Sequence, residues 1–194
     1  MKRALLAILV LASASCGEMT RQGTASSFLA IETLEAASGA EPGSFGGDLA
    51  SDVITVVSGS PTAFADVARV NFALMMKDPG TSASPNAPGP NNAITVDRYH
   101  VQFIRADGRN TPGVDVPYPF DGAFTVTVFD RAEAAFTLVR VQAKREAPLA
   151  GLVSNGIRLS TIAEITFYGH DQTGREVSVT GKIGVNFNNW GDPQ

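Results

Sequence analysis

Residues 176–188 read EVSVTGKIGVNFN and alternate throughout. Val177, Val179, Gly181, Ile183, Val185 and Phe187 fall on one side. Glu176, Ser178, Thr180, Lys182, Gly184, Asn186 and Asn188 fall on the other. A period of two with one apolar and one polar side marks a strand that buries one face and wets the other, as antiparallel sheets do. Gly181 and Gly184 interrupt it and predict a bulge or bend. Upstream, Ala163, Ile165 and Phe167 alternate with Glu164, Thr166 and Tyr168, and the turn-rich GHDQTG of 169–174 joins the two runs. Residues 162–188 are therefore expected to form a β-hairpin.

The same pattern recurs along the chain. Val70, Phe72, Leu74 and Met76 oppose Arg69, Asn71, Ala73 and Lys77; Tyr99, Val101 and Phe103 oppose Arg98, His100 and Gln102. Phe124, Val126 and Val128 make a short strand, and 53–57 is an apolar run of strand length. In 136–144, Thr137, Val139, Val141 and Ala143 are set against Leu138, Arg140 and Gln142. Residues 28–34 read as a first strand that also permits a helix, and 147–160 as room for a short helix. Seven or eight strands with no helix–strand alternation predict an all-β fold. The expectation is an antiparallel β-sandwich of immunoglobulin-like type, with a β-barrel as the alternative.

The first residues differ in kind. Lys2 and Arg3 precede the uncharged run Ala4–Ala12, then come Ser13, Ala14, Ser15 and Cys16. A bilayer-spanning helix needs about 20 apolar residues, so this run suits the core of a secretory signal instead. Cys16 is the only cysteine in the chain. The stretch Ser13-Ala14-Ser15-Cys16-Gly17 resembles the lipobox of the bacterial lipoprotein signal family, although Ser13 stands where that family usually has Leu. The resemblance implies cleavage before Cys16, a diacylglyceryl group on its thiol and a further acyl chain on its freed amine. Gly17, in place of the Asp that signals inner-membrane retention in that family, implies delivery to the outer membrane of a two-membrane host. Ala12-Ser13-Ala14 also satisfies the ordinary signal peptidase, whose cut would leave a soluble secreted protein with a free thiol. Such a thiol invites oxidation outside the cytoplasm, whereas acylation accounts for the odd cysteine. The predicted organisation is a signal over 1–15, a lipidated cysteine and polar tether over 16–27, and one domain over 28–194.

Without residues 1–15 the chain carries thirteen basic and nineteen acidic residues, a net charge of −6. That excludes broad electrostatic attraction to nucleic acid. Two long loops interrupt the strands. Residues 78–93 hold four prolines and no apolar period; residues 106–122 read ADGRNTPGVDVPYPFDG. In the second, alternating Val114, Val116, Tyr118 and Phe120 predict a loop folded back over the end of the core. Asp107, Asn110, Asp115 and Asp121 offer oxygens to Ca²⁺, without the spacing of a helix-loop-helix calcium site. Aspartate and asparagine also belong in turns for their own hydrogen bonds. Tyr118, Phe120 and Trp190 offer an aromatic platform for a sugar, with Trp190 expected to be the most exposed, or else a cap on the core. His100 is placed on the wet face of a strand and His170 in a turn, neither at metal-ligand spacing nor near a nucleophile motif. The sequence thus predicts no cofactor and a non-enzymatic envelope lipoprotein that binds or scaffolds another envelope protein or a glycan. A carbohydrate- or peptidoglycan-binding module and an unrecognised hydrolase are the alternatives.

Overall fold

The computed structural model describes residues 26–190. Residues 1–25, on which the expected signal, the lipidated Cys16 and most of the expected tether fall, lie outside the described residues, as do 191–194. The domain is mostly β. A sheet of three strands has the order β1 (Ser27–Ala37), β5 (Asp66–Met76), β10 (Arg131–Val139). A sheet of five has the order β2 (Asp48–Asp52), β12 (Glu176–Asn188), β11 (Leu159–Asp171), β8 (Ile94–Ile104), β9 (Phe120–Val128). Pairing is antiparallel except for β2, which lies parallel to β12. Two small hairpins complete the strands: β3 (Thr55–Val57) with β4 (Ser60–Thr62), and β6 (Gly80–Thr81) with β7 (Ser84–Pro85). Among the described residues one short α-helix, α1 (Val141–Arg145), follows β10.

Alternation explains which side chains turn inward. Ile183, Val185 and Phe187 of β12 are buried while Ser178, Thr180 and Lys182 are exposed. From β11, Ala163, Ile165 and Phe167 join them; from β8, Val96, Tyr99, Val101 and Phe103; from β5, Val70, Phe72 and Leu74. The two sheets share one aromatic core. Phe72 meets Phe167 edge-on at 5.0 Å, and Phe136 of β10 lies 4.9 Å from Tyr99 and 5.3 Å from Phe167. Each such pair adds about 0.5–1.5 kcal/mol beyond burial. Tyr99 keeps its hydroxyl satisfied by donating to the Thr137 carbonyl at 3.2 Å.

The expected hairpin is present with a longer first arm, and Asp171 organises its turn. The Asp171 Oδ1 accepts from Thr173 N, Thr173 Oγ1 and Arg175 N at 2.8, 2.6 and 3.0 Å. Burial works to raise its pKa, but these bonds and the nearby Arg175 guanidinium outweigh burial and hold the carboxyl below its usual range.

Several expectations are corrected. The β11–β12 ladder passes Gly181 and Gly184 with no register shift, so neither makes a bulge. A Cβ on Gly181 would stand 2.9 Å from Ile31 Cδ1 and 3.0 Å from Leu34 Cδ2, and one on Gly184 would collide with Asp48 Oδ1. The glycines make room for neighbouring strands to close in, which a twofold pattern does not foretell. In β10 the fully buried residues are Leu138 and Val139, not one alternating set, and the strand ends there. Val141–Arg145 instead forms α1, from which Lys144 enters the buried ion pair described below. Residues 28–34 do form a strand, within β1. The run 53–57 is a buried Val53 followed by the separate hairpin β3–β4, while the short helix expected within 147–160 is present as a 3-10 helix over Leu149–Val153. The strand containing Phe124 begins at Phe120, so the second long loop is shorter than expected.

Candidate functional site

Strands β8 and β12 run the same way, so the loop after β8 and the chain after β12 emerge at one end of the larger sheet. The loop between β8 and β9 folds back as expected, but only in part. Val116 is buried and Phe120 nearly so, whereas Val114 and Tyr118 remain exposed. Tyr118 lies across Gly113, whose φ of 76° is a left-handed conformation open to glycine at no steric cost. Beneath them a hollow of about 260 Å³ is lined by Gln102, Phe103, Ile104, Asn110, Pro112, Val116, Pro117 and Pro119.

The aspartates of this segment do not converge. Asp107 is gripped by Arg105, whose Nε donates to Oδ1 at 3.0 Å, and by Arg109 at 3.2 Å. Hydrogen bonding from Arg105 holds its carboxyl well below the usual range despite some desolvation. Asn110 Oδ1 accepts from the Arg105 backbone N–H at 2.6 Å. Asp115 Oδ2 accepts from Thr111 N at 3.2 Å, the local turn role of aspartate. Asp121 pairs across the β8–β9 ladder with His100 Nδ1 at 2.8 Å. Among the described residues no group of three His, Cys, Asp or Glu is placed to hold a metal ion.

Trp190 is not the exposed aromatic. It is half-buried, its Nε1 donates to the Ser51 carbonyl at 3.2 Å, and its backbone N–H donates to Asp52 Oδ1 at 3.0 Å. Those bonds seal the end of β2. Tyr118 alone of the pair offers a free ring face, with 51 % of its surface exposed. His170 is the last but one residue of β11 rather than part of the turn, and its Nδ1 lies 3.4 Å from Asp97 Oδ2. Both imidazoles thus face single surface carboxylates.

One polar constellation is absent from the sequence reading. Lys144 Nζ, fully buried, donates to Asp66 Oδ1 and to the Asp52 carbonyl, both at 2.7 Å. Ser51 Oγ donates to Asp66 Oδ2 at 2.6 Å, and Gly39 N to Oδ1 at 2.8 Å. Thr55 Oγ1 donates to Asp52 Oδ2 at 2.6 Å. Burial pushes the Asp66 carboxyl above its usual range against the pull of Lys144. The network ties β2, β5 and α1 together. With every oxygen of Asp66 occupied and no opening to solvent, its chemistry is structural.

Comparison with family models, with curated proteins and with solved structures finds no match for this chain.

Proposed function

We propose that this chain is an exported lipoprotein, cut before Cys16, anchored through acyl chains on that cysteine, with a non-enzymatic β domain that binds or scaffolds another component of the bacterial cell envelope. The observation that carries the reading is the single cysteine of the chain closing a small-residue run directly after an apolar run of signal length. Two acyl chains hold a protein stably where one does so weakly, at about 0.8 kcal/mol per buried CH₂. Gly17 accords with the outer membrane as destination in a two-membrane host. As to architecture, the shared aromatic core favours an immunoglobulin-like sandwich. Barrel closure is the alternative, since β9 lies against β10 and β1 against β12 where the two sheets adjoin.

Metabolic labelling with a palmitate analogue tests the anchor. The wild-type chain should take up label and fractionate with membranes, and Cys16→Ser should do neither. A wild type without label would mean the ordinary cut after Ala14.

A second reading, a carbohydrate- or peptidoglycan-binding module, is favoured by the exposed ring of Tyr118, which stands in the chain between Pro117 and Pro119, two residues that line the hollow. Its test is titration with soluble peptidoglycan fragments, where Tyr118→Ala should weaken binding at least tenfold. No binding by the wild type removes this reading.

A further inference from the structure

The outer face of the three-stranded sheet changes character along its length. At the end where β1 begins, Phe28 of β1 stands opposite Met75 of β5, and their surfaces are 44 % and 47 % exposed. The Leu74 backbone N–H donates to the Asp130 carbonyl at 2.8 Å, which brings the β9–β10 turn alongside. Phe129 in that turn is 56 % exposed. Three large apolar side chains from three adjacent segments are therefore exposed at one tip, with exposed Lys77 two residues beyond Met75 and exposed Asp130 directly after Phe129. Farther along, the same face is polar. Arg131 pairs with Glu32 at 2.8 Å, Arg69 with Glu35 at 2.8 Å, and Asn71 Nδ2 donates to Thr33 Oγ1 at 2.7 Å.

We propose that this tip faces the bilayer, and that Phe28, Met75 and Phe129 dip into the lipid surface and orient the anchored domain. The proposal rests on the reading of Cys16 as the acylated residue. Phe28 lies twelve residues after Cys16, so an anchor there keeps this end within roughly 40 Å of the headgroups. The end bearing Tyr118 is farther away by the eleven residues of β8, roughly 36 Å. Three partly exposed side chains bind lipid weakly on their own. Held at a high effective concentration by an anchor, they suffice to choose an orientation. An apolar tip backed by a charged, ion-paired belt suits the step from acyl chains to headgroups.

The test uses the chain from Cys16 onward, its thiol coupled to a maleimide lipid in vesicles of phosphatidylethanolamine and phosphatidylglycerol. Attachment then does not depend on whether cells acylate Cys16, which the labelling experiment decides separately. The reading is quenching of tryptophan fluorescence by lipids brominated on their acyl chains. Wild type carries Trp190 alone, at the far end, and should be quenched little. Phe28→Trp and Phe129→Trp, each melting like wild type, should be quenched at least twofold more, and Tyr118→Trp no more than wild type. Quenching of the first two at the wild-type level overturns the proposal. So does emission from uncoupled Phe28→Trp that shifts to the blue as protein concentration rises, since a second copy would then cover the tip.

Discussion

Lys144 and Asp66 show what one buried pair demands of its surroundings. Their side chains are 1 % and 0 % exposed and stand 2.7 Å apart. Removing one partner strands the other charge in the interior, at a cost of about 3–5 kcal/mol. A domain's whole stability is about 5–15 kcal/mol. Lys144→Met is therefore expected to lose a large share of the stability. Asp66→Leu combined with Lys144→Met should lose less than the sum of the two single changes, because neither charge remains to be stranded. Urea denaturation of the four proteins measures this. Single variants within about 1 kcal/mol of wild type would show that the network does not hold β2, β5 and α1 together. Neither residue announces itself in the sequence. Lys144 falls at the end of an alternating run, and Asp66 just before one.

At the scale of elements, β12 reads correctly from its pattern, but burial along it is graded. Phe187 is fully buried, whereas Val179, on the same face, is only half covered. Phe187→Asp is thus expected to unfold the domain, since an unpaired core charge costs several kcal/mol. Val179→Asp should cost less, with a lowered melting temperature but a cooperative transition. On the opposite face Ser178→Asp should be nearly silent, within about 0.5 kcal/mol. Lys182→Glu loses the 2.7 Å pair with Glu164 and leaves two carboxylates facing, a surface effect of at most about 1 kcal/mol. Equal melting temperatures for Phe187→Asp and Ser178→Asp would show that the faces are assigned wrongly. The gradient itself was not legible. The buried end of the strand is the one that β2 joins, at residues 184–188, a partner distant in the chain.

For the whole molecule the two long loops have different standing. Residues 79–88 form a small exposed hairpin and its approaches. Residues 89–93 do not belong with them: Asn92 Nδ2 donates to Ser26 Oγ at 2.6 Å, Ser27 Oγ donates to the Asn92 carbonyl at 3.1 Å, and Ala93 is fully buried. Deleting 80–87 is expected to leave stability nearly unchanged, since halving a loop alters closure entropy by only about 0.6 kcal/mol. Deleting 109–118 removes buried Val116 and the lining of the hollow, and should lower the melting temperature sharply. Calcium or a chelator should leave the melting temperature of the intact domain unchanged, because Asp107, Asp115 and Asp121 answer to Arg105, Thr111 and His100 separately. A rise of many degrees with calcium would instead make this loop a cation site.

What the sequence determined by itself is what depends on neighbours along the chain. The twofold alternation in 162–188, 67–77 and 95–105 specifies strands and their inward faces, because side chains of a strand point alternately to either side whatever lies beyond. Turn residues at 169–174 likewise specify the hairpin. Beyond that hairpin, tertiary structure alone decided the partners. The parallel docking of β2, the space that Gly181 and Gly184 leave for β1 and β2, the seat of Trp190 on Ser51, and the meeting of Lys144 with Asp66 join residues far apart in the chain. No local pattern records such pairings, since each is set by how two sheets close over a common core.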